Sequence, residues 1–149
     1  MIERDALLHY AHFLCIFTLA ALLTGELLLF RRSLPAAMLR QLQLVDRFYG
    51  ITAGLVIITG VALVLYGLKG PAFYLHNAIF WTKMALFVTV ALLSIPPTVA
   101  YLRWNSRKSV DGTVTLEDGE FGRVRGLLWA QVAVFAFIPL CAALMANGL

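Results

Sequence analysis

YGITAGLVIITGVALVLYGL, Tyr49 to Leu68, runs between Arg47 and Lys69 without one charged residue. About 20 mostly apolar residues are what an α-helix needs to cross roughly 30 Å of hydrocarbon. Three more stretches of this kind flank it: Leu7–Phe30, Ala78–Leu102 and Leu127–Ala146. The last has no charge after Arg125, the third carries Lys83, and the first carries Glu26 with His9 and His12. At that depth every backbone N–H and C=O must be bonded within its own segment, and the alternation of a membrane β-barrel is absent, so the spans are helices. The chain reads as an all-α integral membrane four-helix bundle, one four-span domain over residues 1–149.

Composition agrees. Of 149 residues, 61% are hydrophobic and 13% charged, and mean hydropathy is +0.84. That excludes a disordered chain and a soluble enzyme built on one small core. The two cysteines sit inside apolar runs and make no disulfide framework. A net charge of +4 comes from basic residues gathered at the ends of apolar stretches, which marks topology rather than a nucleic-acid surface.

Counting those basic residues gives orientation. Arg31, Arg32, Arg40 and Arg47 lie in the first connection, and Arg103, Arg107, Lys108, Arg123 and Arg125 in the third. The opposite side holds only Arg4 and Lys69. By the positive-inside rule the first and third connections are cytoplasmic, and both termini face the periplasm or outside. Glu3 and Asp5 flank Arg4 where a signal peptide would be basic, so the first span is expected to stay in place. The expected location is a bacterial inner membrane, with the lipid bilayer as the main partner.

Smaller features fill in the bundle. Ser33–Arg47, opened by Pro35, reads as a short amphipathic helix on the cytoplasmic surface. The connection Arg103–Gly126 reads as a loop, with a small hairpin around Val114–Leu116 as the alternative. Gly50 and Gly54 form a GxxxG pair, and Ala53, Gly60 and Gly67 recur every seven residues. Such faces serve close packing within the chain or a homo-oligomer seam. Pro96, Pro97 and Pro139 each remove a backbone hydrogen bond from a span. Trp81, Trp104, Trp129, Tyr49, Tyr74 and Tyr101 are placed at span ends, as an aromatic belt.

Ionisable groups inside a bilayer are costly and therefore the first place to look for function. His9 and His12, at i and i+3, share a face at the outer end of the first span. His12, Leu19 and Glu26 form one heptad seam, and His76, Lys83, Val90 and Pro97 a second. Two polar seams facing each other are the expected geometry. Glu26 is expected to pair with Arg31 or Arg32, and Asp46 to sit at the start of the second span, where a negative charge suits the helix dipole.

Three chemistries suit the outer cluster. Imidazole from a membrane helix is an axial haem ligand, with His12 the first choice, His9 the second, and Lys83 pairing with a propionate. A soft-metal site for copper would draw on Cys15, Cys141, Met84 and Met145. The third reading has no cofactor, the chain being a non-catalytic subunit of a larger membrane assembly or a small transporter. No HExxH, CxxC, P-loop or GxSxG motif is present, so hydrolase and nucleotide chemistry have no support and no catalytic residue is assigned.

The strings His9-Tyr-Ala-His12-Phe13, Gly25-Glu26-Leu27, Asp46-Arg-Phe-Tyr-Gly50, Phe80-Trp81-Thr-Lys83-Met84 and Ser94-Ile-Pro96-Pro97-Thr98 resemble a bacterial family of four-span membrane proteins. It is catalogued as domain of unknown function 2214. The resemblance extends through Arg125–Trp129 and so covers nearly the whole chain. More remotely the chain is similar to HemJ-type protoporphyrinogen oxidases and to CopD-like copper-resistance membrane proteins. The HemJ-type resemblance implies bound haem b, with His12 (or His9) and Trp81-Thr-Lys83 in the places of that family's early histidine and its tryptophan-x-x-lysine stretch. Here the lysine follows Trp81 by two positions, a departure from that pattern.

Overall fold

In the computed structural model, which describes residues 2–148, the order is α1 (Ile2–Leu29), β1 (Ser33–Leu34), α2 (Ala36–Tyr66), α3 (Gly70–Leu75), α4 (Ala78–Arg103), a 3-10 turn (Trp104–Arg107), β2 (Val114–Thr115) and α5 (Asp118–Ala146). The Asn77 side chain accepts from the Ile79 and Phe80 amides at 2.8 and 3.3 Å and so caps α4. Acidic residues occupy the first turns of α1 (Glu3, Asp5) and α5 (Asp118, Glu120), where the dipole favours them. Among the described residues four helices are long and apolar enough to cross a membrane, and together they form the expected all-α bundle.

The helices outrun their apolar stretches. With 31 residues, α2 is about 46 Å long, well beyond the roughly 30 Å of hydrocarbon. Its first turns belong to the segment read above as a separate surface helix. No break separates the two, because nothing between Ala36 and Tyr66 stops a helix. The third connection also departs from expectation. Val114–Thr115 does not fold back on itself but pairs antiparallel with Ser33–Leu34, in the register Ser33↔Thr115 and Leu34↔Val114. This two-strand clasp joins the first connection to the third, and the Leu116 amide extends it by donating to Arg32 O at 2.9 Å. The turn before β2 needs Gly112 at φ +80°, a conformation open to glycine. There Ser109 and the Thr113 amide both donate to Asp111, which holds its carboxyl below the usual carboxylate range.

Packing is uneven along the bundle axis. α1 lies along α2 and α4 along α5, giving two antiparallel hairpins that touch each other much less. At the clasp end the core is closed: Leu34, Leu39, Leu42, Tyr101, Trp104, Val114, Val124 and Leu128 are buried. Phe30 is stacked on Phe121, with centroids 5.1 Å apart, and on Trp104 at 6.0 Å. Towards the other end α1 has no buried residue before Leu19, and α4 none before Val90. α1 and α4 are thus less enclosed at the end that carries α3 and both ends of the described chain, although Leu63, Tyr74, Ile138 and Met145 are buried there.

The aromatic belt needs correction. Trp81 and Trp129 are exposed, as a belt requires, but Tyr49, Tyr74, Tyr101 and Trp104 are buried. Three of them have bonded polar tips: Tyr49 donates to Gln131, Tyr101 to Glu26, and Trp104 Nε1 to Glu120 at 2.8 Å. By contrast the ion pair between Arg32 and Asp118 is exposed, at 61% and 82% of the two side chains. Exposed pairs contribute little, so Asp118→Asn is expected to change unfolding free energy by less than about 1 kcal/mol in a denaturant titration.

Candidate functional site

His12 stands in the looser half, facing α2. Its Nδ1 lies 2.8 Å from Thr59 Oγ1. That hydroxyl has one proton, which it donates to Leu55 O at 2.8 Å, with Val56 O at 3.2 Å. Thr59 therefore accepts from His12, the neutral imidazole carries its proton on Nδ1, and Nε2 keeps the lone pair. A partner on the far ring nitrogen that fixes tautomer and orientation is what a metal-ligating histidine requires. Gly60 makes room for this pose, since a Cβ there would lie 3.2 Å from His12 Cε1. The heptad repeat containing Gly60 thus packs within the chain, against a histidine.

Lys83 is half-buried on α4. Its Nζ lies 5.8 Å from the Phe80 ring centroid. It interacts electrostatically with His12 and with Cys141 of α5. Among the described residues it has no carboxylate within ion-pair distance. Lys83 and His9 both lie close enough to His12 to act on it electrostatically, whereas Trp81 makes no contact with it that is seen here. His9 is 43% exposed at its side chain; its Nδ1 donates to Asp5 O at 2.9 Å and lies 3.4 Å from Asp5 Oδ2. Trp81 is 55% exposed, with Nε1 donating to Leu75 O at 3.0 Å. His76 is exposed and donates to Ala72 O at 2.8 Å.

Asp5 also ties the outer ends of the first hairpin, accepting from the Leu68 amide at 2.8 Å, while Arg4 donates to Tyr66 O at 3.1 Å. Burial, with Asp5 adding to it, pushes the Tyr74 phenol up from its ordinary value. Cys15 and Cys141 are free, half-buried thiols on α1 and α5. Among the described residues no three His, Cys, Asp or Glu side chains are grouped to hold a metal ion.

A second polar cluster lies in the closed half, where sequence reasoning had not joined its members. Glu26 makes no pair with Arg31 or Arg32; it is 2% exposed, and its Oε2 accepts from the Tyr101 hydroxyl at 3.4 Å. Asp46 does not open a helix, because α2 begins at Ala36; its Oδ1 lies 2.8 Å from Thr98 Oγ1. Tyr49 donates to Gln131 Oε1 at 3.2 Å, and Gln131 Nε2 donates to Leu93 O at 3.4 Å. That carbonyl is the one Pro97 cannot serve, having no N–H. Gln43 Nε2 donates to Tyr101 O at 2.7 Å, near the end of α4. The one foreseeable signal was the heptad seam, since Leu19, Glu26, Val90 and Pro97 all turn inward.

Between the two clusters is a cavity of about 50 Å³ lined by residues including Leu19, Tyr49, Ala53, Val90 and Ser94. Sites for drug-sized ligands run to about 300–1,000 Å³. A flat macrocycle therefore does not fit the closed core.

The family described as Predicted membrane protein (DUF2214) matches residues 4–149. No curated protein and no solved structure matches the chain.

Proposed function

The chain belongs to the DUF2214 family of predicted membrane proteins, and from that premise we propose that it binds haem b between the outer halves of its two hairpins. The observation that supports this reading is the His12–Thr59 bond, which leaves Nε2 as the free, oriented donor in the less closely packed half. His12 would hold the iron, with His9, one turn nearer the end, as the second choice. Lys83 would offset the negative charge of the group, and Trp81 would flank it at the same end. Haem b, when bound, supplies a one-electron iron couple. Its reaction partner is a porphyrinogen, a quinone or an electron carrier, and the remote resemblance to HemJ-type oxidases points the same way. On the positive-inside count the site faces the outer side of a bacterial inner membrane, with both termini outside.

The test is an absorption spectrum, oxidised and dithionite-reduced, of protein purified from its native membrane in mild detergent. Reducible Soret and α bands at near-stoichiometric level are expected. A featureless spectrum, with a control cytochrome showing normal haem supply, overturns the reading.

One observation favours assembly as a second role. A Cβ added at Gly50 or Gly54 would meet nothing within 4 Å, so neither glycine is needed for a close approach within the chain. In a second reading it packs against another copy or a partner subunit. Gly54→Leu is then expected to convert the oligomer to monomer in detergent gel filtration with light scattering. An unchanged mass sinks that role.

A further inference from the structure

Glu26 of α1 and Asp46 of α2 lie close enough to interact electrostatically, inside the closed half of the bundle. Glu26 Oε1 is buried and has no hydrogen-bond partner among the described residues. Among the described residues neither carboxyl has a basic side chain within ion-pair distance: Arg32 pairs with Asp118, and Arg103 and Arg107 with Glu120. The groups facing the pair are Glu26 itself on α1, Asp46 and Tyr49 on α2, and Thr98 and Tyr101 on α4, with the neutral Gln131 on α5. None of them is a cation. Two uncompensated negative charges at such a place are untenable, since a charge buried in low dielectric needs a partner and like charges repel.

The hydroxyl of Thr98 supplies an independent indication. Thr98 Oγ1 lies 2.8 Å from Asp46 Oδ1 and 3.0 Å from Ser94 O. A carbonyl only accepts, so the single hydroxyl proton is wanted by two acceptors. The conflict vanishes if Asp46 Oδ1 carries a proton and donates to Thr98, which then donates onward to Ser94. A short-handed hydroxyl beside Asp46, and two buried carboxyls with no cation facing them, both call for one extra proton on the pair.

From this we infer that Glu26 and Asp46 form a proton-binding site that holds one proton between them. The site is distinct from the His12 cluster and does not rest on the haem reading. Glu26 is one turn from the end of α1, and Asp46 is half-buried, so proton exchange runs to the clasp side of the bundle.

Infrared difference spectroscopy of the full-length protein in lipid nanodiscs tests the assignment. A carboxylic-acid C=O band at neutral pH, shifted in D2O, is expected in the wild type. The other six acidic side chains are exposed or paired, so the band has no other source. It is expected to be lost in the double variant Glu26→Gln/Asp46→Asn, and to be altered in either single variant. Should the double variant fail to fold, either single variant or the wild-type band alone decides. Absence of the band at neutral pH overturns the inference, as does a band present only when sodium is withdrawn, which would make sodium the occupant.

Discussion

His12→Ala is expected to abolish the reducible Soret and α bands of the purified protein while leaving its helical content unchanged. His12 is half-buried beside Thr59 and Gly60, in a half of the bundle where few side chains are fully enclosed. Its loss removes a ligand without opening the closed core. Thr59→Val separates orientation from ligation: it deletes the oxygen that accepts from Nδ1 and keeps a β-branched side chain on α2. Losing a partner of this kind typically weakens metal binding about 10–100-fold. Weaker haem retention in Thr59→Val, with His12 intact, is therefore the expected companion result, read as haem loss to apomyoglobin. If His12→Ala keeps full bands and His9→Ala loses them, the ligand is His9. If both keep them, neither histidine holds the group.

Trp104→Ala is expected to cost about 3–5 kcal/mol of unfolding free energy, the range for deleting a fully buried tryptophan side chain. Trp104 is 0% exposed and packs on Phe30, with Tyr101 5.7 Å away between centroids. Its Nε1 bond to Glu120 is lost as well, which adds about 1 kcal/mol. Trp104→Phe keeps an aromatic ring and gives up the bond, so it should cost clearly less. Denaturant unfolding in mild detergent, followed by circular dichroism, measures both. A loss below about 1 kcal/mol in the alanine variant would show that the clasp end is not where the bundle is held.

Much of the architecture was legible before any tertiary information. Lipid forces each span to satisfy its own backbone, so apolar length alone announces helices, and four such lengths announce the bundle. The inward seams were legible for the same reason: helical geometry sets their phase, and Leu19, Glu26, Val90 and Pro97 lie where a seven-residue step puts them. Element ends were not. Hydropathy reports the hydrocarbon slab, whereas α2 continues to Ala36 through polar surroundings where only a stop signal would end it. Nor was the clasp legible, because a two-residue strand carries no periodicity and its partner lies 82 residues away at Thr115.

The candidate sites divide along the same line. His12, Lys83 and Glu26 could be picked out singly, since an ionisable residue among apolar ones is conspicuous in any membrane span. Their partners could not, because Thr59, Asp46 and Tyr101 each sit on another helix, 20 residues or more away. The sequence by itself determined that this chain spans a membrane with four helices, and which of their faces turn inward, because those follow from local chemistry and helical phase. Only the tertiary structure decided which faces meet: that His12 is oriented by Thr59 across from Lys83, and that Glu26 finds a second carboxyl rather than an arginine. Packing of helix against helix depends on side-chain shapes summed over the whole bundle, and no single segment carries that information.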